Sequence, residues 1–481
     1  MEHFTLGQHK FKKGKFISPW NNMDFQMTQN PWFQNRLPEY LWLALILNKY
    51  DRKQGLDICN NIMLLVKELK IDSLSISEIL TIDEERQSKL WSKVEGLCGK
   101  ECLSPLTILF TYDKYPCFAS FFCDNKAMIE ERLNVIGEVL SKASDHQSNF
   151  ATDIRFLVVY YLILCEKVKI LEEAKDIISG LLKFPFLSHD DVEMRMIRPM
   201  IRSAEMGIED ENENHKQYLK YFWEAISLMT QCKLFTIQYD SEVIEADLYI
   251  ENIKKIMEYY SNIFTTAYPL DDKMKVLIGI ATYSYKRLLE LVNHNLYNEI
   301  SGRTIVRVLI ESYIMIKYLL KHEAENNNIW KEYQYYGIGQ FKLIVKKSEE
   351  FEEDLSKSHV NYKYLSFLVN EHMGEDFIDM DTRYFGNQGI REKADEIGEK
   401  ELFGLYYDYD SAFEHGLWGA IRESSLLKCD AAGHQYHCVP DVTDQQKLKS
   451  VWHDSKRMMN KILLTLKAEY GLSEQYQIVE E

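Results

Sequence analysis

The sequence predicts an all-α protein, in which an N-terminal array of helices is followed by a C-terminal helical bundle. Apolar residues recur at helical spacing in most segments of the chain. Helix breakers are scarce, with 9 Pro and 21 Gly among 481 residues. The chain is 46% hydrophobic and 13% aromatic, so it can bury a sizeable core and is not disordered by composition.

The N-terminal half, residues 1–240, is predicted to be a series of helices with short connections. The expected helices, in order, are one within Pro31–Tyr50, Leu56–Leu69, one that begins near Ser75, Ala127–Ser144, Phe156–Ile170, Leu171–Leu182, one that begins near Ser188 and Gln217–Met229. Ala127–Ser144 has the clearest pattern, because its apolar residues recur at steps of four, three and four. Pro199 is expected to kink or interrupt its helix.

We place a domain boundary between residues 240 and 241, so that the second domain is 241–481. Leu234–Asp240, a short apolar linker or strand, precedes this boundary. The helices expected after it are Ala246–Phe264, Lys273–Val292, Arg303–Lys321, Ile329–Leu355, Lys400–Lys428 and Gln445–Tyr470. Val360–Glu399 is expected to be more irregular, because it contains Gly374, Gly386 and Gly389.

Net charge and cysteine content limit the partners and the compartment. The formal net charge of −17 opposes general binding of nucleic acid, although a local basic segment such as His9–Lys15 could override it. A solvated charged loop explains that segment better. The 9 cysteines show no disulfide spacing, and the N-terminus lacks the apolar region of a secretory signal. The longest apolar run, Phe156–Cys165, is too short to span a bilayer, so we expect a cytoplasmic protein.

One helix of the second domain combines an apolar surface with a column of charges. Arg303–Leu320 (RTIVRVLIESYIMIKYLL) is apolar on nearly every side, which is typical of a buried helix. Helical spacing places Arg303, Arg307 and Glu311 in one column. An isolated buried ion is very costly, so these side chains must be paired or must line a cleft.

A second column lies in the segment YYDYDSAFEHG, where Tyr407, Ser411 and His415 share one helix face. We expect the two columns to face each other, with Arg307 or Glu311 reaching Ser411 or His415. Such a cluster could hold a phosphate, activate water or shift the protonation of its members. The alternative is a structural polar network between two core helices, which the sequence alone favours.

The order of segments RVLIES, IKYLL, WKEYQYYGIGQFK and YDYDSAFEHG is similar to a family of uncharacterised bacterial domains related to the HEPN superfamily. The pattern that carries the resemblance is Arg307-x-x-x-Glu311 together with Ser411-x-x-x-His415-Gly416. It covers 259–429 and leaves the N-terminal half unmatched. The resemblance implies an all-helical and often dimeric fold, with a role in RNA cleavage or in stress and phage defence.

Catalytic HEPN proteins carry an Arg followed, after a few residues, by a His at one helix end. Here Arg287 and His294 (RLLELVNH) stand at that spacing, with Leu288 where those ribonucleases have a polar residue. In this role Arg287 would stabilise a phosphate and His294 would act as acid or base.

No metal or cofactor is assigned from the sequence. Cys98 and Cys102 lack a second pair of ligands, and His434, His437 and Cys438 lack a clear fourth ligand. There is no phosphate-binding glycine loop and no Gly-x-Ser-x-Gly elbow, so nucleotide hydrolysis and serine hydrolase chemistry have no support.

Aromatic residues cluster shortly after the charged helix. They are Trp330, Tyr333, Tyr335, Tyr336 and Phe341. Such residues can stack on nucleobases, but at helical spacing they more often belong to a core or an interface.

Two functions therefore stay open. The first is an RNA-directed, ribonuclease-like effector in bacterial stress or phage defence, homo-oligomeric, whose N-terminal half is a sensor or binds a partner protein. Its catalytic candidates are Arg307, Glu311, Ser411 and His415, with Arg287 and His294 as alternatives. The second is a noncatalytic interaction protein or scaffold in which the polar cluster is structural.

Overall fold

The protein is mainly helical, which confirms the predicted all-α class. The computed structural model describes residues 10–17, 31–124, 126–167, 175–208, 213–240, 244–350, 357–370 and 385–478. The chain forms two compact units. The N-terminal unit comprises Met1–Phe235 and Lys428–Cys438, and the C-terminal unit comprises Thr236–Leu427 and Val439–Glu481. The sequence pattern does not predict that Lys428–Cys438 belongs to the N-terminal unit.

The N-terminal unit is an array of helices around one apolar helix. The helices are α1 (Leu37–Lys49), α2 (Arg52–Glu68), α3 (Ile76–Ile79), α4 (Glu84–Cys98), α5 (Lys100–Leu103), α6 (Pro116–Phe122), α7 (Ile129–Ser144), α8 (Asn149–Leu164), α9 (Lys175–Lys183), α10 (Met194–Met206) and α11 (Glu213–Met229). Helix α1 is buried from Leu37 to Leu47 and packs against α2, α3, α5, α7 and α8. A helix surrounded in this way needs no polar face, which explains its composition.

Several N-terminal predictions differ from the structure in their boundaries. Helix α8 begins at Asn149 rather than Phe156, because the Ser148 hydroxyl accepts a hydrogen bond from the Ala151 amide and caps it. Pro199 lies inside α10 without ending it. Residues 171–174 of the predicted helix Leu171–Leu182 lie outside the described residues.

The basic segment near the N-terminus is a short hairpin. Strands β1 (Lys10–Lys12) and β2 (Lys15–Ile17) pair antiparallel, and their side chains are largely exposed. His9, the first residue of that segment, lies outside the described residues.

The C-terminal unit is a helical bundle around the charged helix. Its helices are α12 (Ala246–Ala267), α13 (Asp272–Asn293), α14 (Ile300–His322), α15 (Ile329–Glu349), α16 (Tyr362–Asn370), α17 (Ile390–Glu396), α18 (Lys400–Leu402), α19 (Asp408–Glu414), α20 (Trp418–Ser424) and α21 (Trp452–Tyr470). Helix α14 packs against α13, α17, α19 and α21, and most of its side chains are buried, as its sequence predicts. No helix in the described part of the chain is both long and apolar enough to cross a membrane.

The prediction of a single helix over Lys400–Lys428 is wrong. The chain forms α18, a π-helical turn at Phe403–Tyr407, α19 and α20 in succession. Helix α19 ends because Gly416 adopts φ +58°, a left-handed conformation that glycine enters without a steric penalty. The Gly416 and Leu417 amides then donate to the carbonyls of Phe413 and Ala412, which closes the helix end.

Two other C-terminal predictions change at their ends. Helix α21 begins at Trp452 rather than Gln445, because the amides of Leu448 and Val451 donate instead to the carbonyls of Asn298 and Tyr297. Within the segment predicted to be irregular, α16 and α17 are helical, and residues 371–384, including Gly374, lie outside the described residues.

Three further strands are very short. They are β3 (Leu234–Phe235), β4 (Leu426–Cys429) and β5 (Cys438–Pro440), in the order β3–β4–β5. Strands β3 and β4 are antiparallel, with Leu234 opposite Cys429 and Phe235 opposite Lys428.

The N-terminal core contains a buried charged triad. Glu205 is 1% exposed, and its carboxylate contacts Arg36 Nη1 at 2.6 Å and Arg155 Nε at 2.9 Å. Both guanidinium groups lie over the ring of Trp32, with that of Arg155 4.7 Å from the centroid. One carboxylate thus neutralises part of the charge of two buried cations, whose desolvation would otherwise oppose folding.

We expect Glu205→Gln to lower the free energy of unfolding by about 3–5 kcal/mol, because two buried guanidinium groups would lose their counter-ion. Urea denaturation of the two proteins measures this difference. Glu138→Gln is the control: Glu138 pairs with Lys142 on the surface of α7, and its loss should cost less than about 1 kcal/mol. Equal losses in the two variants would contradict a special role for the triad.

Candidate functional site

Arg307, Glu311 and Tyr407 form a closed polar network between α14 and the π-helical turn before α19. Arg307 Nη2 lies 3.0 Å from Glu311 Oε1 and donates to the Tyr407 hydroxyl at 2.9 Å. The Tyr407 hydroxyl donates in turn to Glu311 Oε1 at 2.7 Å. The Arg307 guanidinium also lies over the Tyr407 ring, 5.0 Å from its centroid. Each member therefore has two partners within the network.

Burial, reinforced by the hydrogen bond to Glu311, raises the pKa of Tyr407 to about 12. The phenol consequently stays protonated at neutral pH and acts as a hydrogen-bond donor. Its position follows from the π-helical turn, which precedes α19 without interrupting the helical path. Such turns are frequent at functional sites.

Ser411 and His415 do not take the position expected for them. Helices α14 and α19 do pack together, but the side chain that reaches Arg307 and Glu311 is Tyr407. Ser411 is half-buried, and His415 is exposed at the end of α19. Among the described residues, neither makes a hydrogen bond to Arg307 or Glu311.

Arg303, the first residue of the column, is sealed in the core together with Asp410. Arg303 is 2% exposed and donates to the carbonyl groups of Tyr297, Glu299 and Lys449. Asp410 is also buried. Burial raises the pKa of Asp410 to about 7; the charges of Arg303 and Arg307 oppose this shift, and Asp454 adds to it.

The polar network opens into a cleft. Glu311 and Tyr407 line a cavity of about 610 Å³ that is formed by α13, α14, α15, α17 and the turn at Phe385–Asn387. The Glu311 side chain is 35% exposed. The network is therefore accessible on its Glu311 side and is not sealed between core helices.

One wall of this cleft is aromatic. Tyr333 and Tyr336 contribute from α15, Tyr283 from α13, and Phe385 from the adjoining turn. The Phe385 ring centroid lies 5.4 Å from that of Tyr333 and 5.7 Å from that of Tyr336. Lys393 fixes the turn, since its ammonium group donates to the carbonyls of Phe385 and Gln388.

The aromatic residues identified in the sequence thus separate into two groups. Tyr333 and Tyr336 line the cleft, whereas Trp330 and Tyr335 are buried. Phe341 is exposed further along α15 and is not among the residues that line the cleft.

Arg287 and His294 lie at the end of α13. Arg287 Nη1 binds the carboxylate of Glu290, one helical turn away. His294 is exposed at the C-terminal end of the helix. Neither residue is among those that line the cleft.

The sequence candidates for metal ligands lie in two places within the N-terminal unit. Cys98 and Cys102 are buried in its core. His434 and His437 lie instead beside Cys232 and Cys429, and the four ligand atoms are all within 4.8 Å of one another. The two cysteines were not predicted as ligands: Cys232 is far away in the chain, and Cys429, five residues before His434, was not grouped with the histidines.

Residues 276–434 match the model of DUF5677, a family of unknown function. The DUF5677 match begins within α13 and includes Arg307, Glu311, Tyr407 and the cleft-lining residues of α14 to α17. The C-terminal part of the chain is therefore similar to an uncharacterised domain family. No curated protein and no solved structure gives a significant match to the chain.

We expect Asp410→Asn to change the pH dependence of stability. Folding raises the pKa of Asp410 from an ordinary value near 3.9 to about 7, so its ionisation weakens the folded state as the pH rises through this window. The stability of the variant relative to the wild type should therefore rise between about pH 4 and 7 and stay constant above that, at roughly 2–4 kcal/mol. Urea denaturation over this pH range measures the effect.

Asp408→Asn is the matched control for this measurement. Asp408 is an exposed neighbour on α19 that pairs with Arg391 at the surface. Its substitution should leave the slope of unfolding free energy against pH unchanged. An unaltered slope in Asp410→Asn as well would show that the Asp410 pKa is not raised.

Proposed function

We propose that the protein is an RNA-directed, ribonuclease-like effector of bacterial stress or phage defence, and that its cleft binds a short single-stranded segment of RNA. The observation that carries the proposal is the opening of the Arg307–Tyr407–Glu311 network into an aromatic-lined cleft. The kinship to HEPN-like domains, a cytoplasmic location, homo-oligomerisation and a protein partner for the N-terminal unit belong to the same proposal.

The cleft has the size and lining that favour nucleotides over a duplex. A volume of about 610 Å³ lies in the usual range for sites of small molecules. Tyr283, Tyr333, Tyr336 and Phe385 offer ring surfaces, and stacking of a base on such a ring contributes about 1–3 kcal/mol without sequence preference. The net charge of −17 disfavours long contacts with a phosphate backbone, so a short single strand is the better ligand.

The network offers a base and an acid that are already connected. Glu311 would accept the proton of a ribose 2′-hydroxyl, whose oxygen then bonds to the adjacent phosphorus. The bond from phosphorus to the 5′-oxygen breaks, and this oxygen takes the Tyr407 proton. Glu311 returns its proton to Tyr407 along their 2.7 Å hydrogen bond. Arg307 holds both groups in place and offsets negative charge that develops beside them.

A second function is favoured by the mutual pairing of the same three side chains. Arg307, Glu311 and Tyr407 each have two partners among themselves without a ligand, as in a structural network that joins α14 to the turn before α19. In that case the protein would be a noncatalytic interaction protein or scaffold.

We expect purified full-length protein to cleave RNA, and Glu311→Gln and Tyr407→Phe to reduce the rate at least about 100-fold, because each removes a proton-transfer group. The rate is measured on labelled single-stranded RNA. Glu399→Gln and Tyr313→Phe are the matched controls, since Tyr313 and Lys461 bind Glu399 at 2.9 Å in a similar arrangement that does not line the cleft. Both controls should retain the wild-type rate.

Other outcomes of this experiment distinguish the remaining candidates. Loss of cleavage only in His294→Ala would move the active site to the end of α13, and loss only in His415→Ala would move it to the end of α19. Absence of both RNA cleavage and RNA binding by the folded wild type would contradict the proposal and leave the scaffold function.

We expect Tyr336→Leu to weaken binding of a short single-stranded oligoribonucleotide by about 1–3 kcal/mol, because it removes one stacking surface. Fluorescence anisotropy with the labelled oligonucleotide measures the dissociation constant. Phe341→Leu removes an exposed ring from the same helix outside the cleft and should have no effect. Equal weakening in both variants would mean that the cleft is not the binding site.

A further inference from the structure

Two cysteine thiols and two histidine imidazoles converge in the N-terminal unit. Cys232 Sγ lies 3.5 Å from His434 Nδ1 and 3.4 Å from His437 Nε2. Cys429 Sγ lies 3.6 Å from His434 Nδ1. All four ligand atoms lie within 4.8 Å of one another. The group comprises two thiols and two imidazoles, one type of donor set that tetrahedral zinc sites use.

The distances agree with a tetrahedron around one metal ion. Zinc binds cysteine sulfur at about 2.3 Å and histidine nitrogen at about 2.0–2.1 Å. At tetrahedral angles these bond lengths place sulfur and nitrogen roughly 3.5–3.6 Å apart. The three sulfur–nitrogen distances, from 3.4 to 3.6 Å, lie at this value.

The backbone is shaped to bring the two histidines to one point. Gln435 and Tyr436, between them, both adopt left-handed conformations, with φ of 54° and 55°. Two successive residues in this conformation are uncommon outside glycine and fold the chain tightly. The His437 amide then donates to the His434 carbonyl at 3.2 Å, and the two rings stack with centroids 4.5 Å apart.

The pairing of β3 with β4 positions the two cysteines. Leu234 lies opposite Cys429, and the Asp430 amide donates to the Lys233 carbonyl at 2.9 Å. Cys232 is therefore held beside the end of β4. Gly433 allows the turn to approach α11, since a Cβ atom there would lie 2.4 Å from Thr230 Oγ1.

The hydrogen bond made by His434 Nε2 leaves the other ring nitrogen, Nδ1, available to bind a metal. His434 Nε2 lies 3.0 Å from the Ser227 carbonyl oxygen, which only accepts hydrogen bonds. Nε2 must therefore carry the proton, and in the neutral ring Nδ1 has a free lone pair directed at the cysteines. A hydrogen bond from the outer nitrogen to a carbonyl is the usual support for a histidine that binds a metal.

We propose that Cys232, Cys429, His434 and His437 bind one zinc ion as a structural Cys2His2 site. Two thiolates and two imidazoles are a poor set for calcium or magnesium, which prefer oxygen ligands. Four protein ligands leave no open position for water or substrate, so the site is structural and not catalytic. The ion fastens the returning segment Lys428–Cys438 to the residues that follow α11.

Metal analysis of the purified full-length protein tests this proposal. The protein is prepared under reducing conditions without chelator, and we expect one zinc ion per chain. Cys232→Ser and His437→Gln should each lose it; both positions are exposed, so the substitutions leave the core intact. Cys438→Ser is the matched control, because Cys438 adjoins His437 but is not one of the four ligands, and this variant should keep its zinc.

Cobalt substitution supplies a readout of the ligand set. We expect added Co²⁺ to give the intense visible bands of a tetrahedral ion and a sulfur-to-cobalt charge-transfer band in the wild type and Cys438→Ser. Both signals should be absent in Cys232→Ser. A chelator should lower the thermal midpoint of the wild type and leave that of Cys232→Ser unchanged.

Three results would overturn the proposal. The first is a folded wild type that neither contains zinc nor binds cobalt. The second is equal retention of metal by the ligand variants, which means an adventitious ion only. The third is loss of metal from Cys438→Ser alone. None of them bears on RNA cleavage by the C-terminal unit.

Discussion

The C-terminal unit depends on finding partners for ionised groups on an apolar helix. Arg303, Arg307 and Glu311 stand at four-residue intervals on α14, and an unpaired charge buried in its surroundings would cost several kcal/mol. Irregular backbone around α14 meets this need. The chain before α14 and the irregular residues before α21 present carbonyl groups to Arg303, and the π-helical turn presents Tyr407 to the other two.

The N-terminal unit also pairs its buried charged groups, but in a different arrangement. Its Glu205 is shared by two arginines, and its buried Glu39 accepts hydrogen bonds from the Ser77 amide and hydroxyl and lies 2.7 Å from His215. These contacts join helices that are distant in sequence. Buried polar networks of this kind have few alternative arrangements, since each unsatisfied member is costly, so they select one packing among many that apolar side chains would allow.

The helices of the C-terminal unit could be predicted from the sequence more fully than the contacts between them. The apolar run of α14 predicts a buried helix, and the four-residue spacing predicts that its charges need partners. The sequence pattern could not show which of Tyr407, Ser411 and His415 contacts α14. The π-helical turn and the early end of α19 at Gly416 decide which residue reaches that helix. A uniform helix over Lys400–Lys428 offers no hint of either.

The ends of helices, and clusters of residues that are distant in the chain, could not be predicted from the sequence either. The start of α8 depends on one capping hydroxyl inside a segment that is apolar on all sides, where periodicity gives no boundary. Cys232 joins the histidines only through the pairing of two strands that are too short to be noticed in the sequence. The aromatic residues of α15 carry no signal that separates those in the cleft from those in the core.

The composition of the N-terminal unit from two separate stretches has a consequence for biosynthesis. A ribosome completes Met1–Phe235 early, but the remaining piece, Lys428–Cys438, emerges only after almost the whole polypeptide has been made. Domains usually fold in order during translation, N-terminal first. Here the N-terminal unit acquires its last strand and the side chains of Cys429, His434 and His437 only after nearly two hundred further residues have been added.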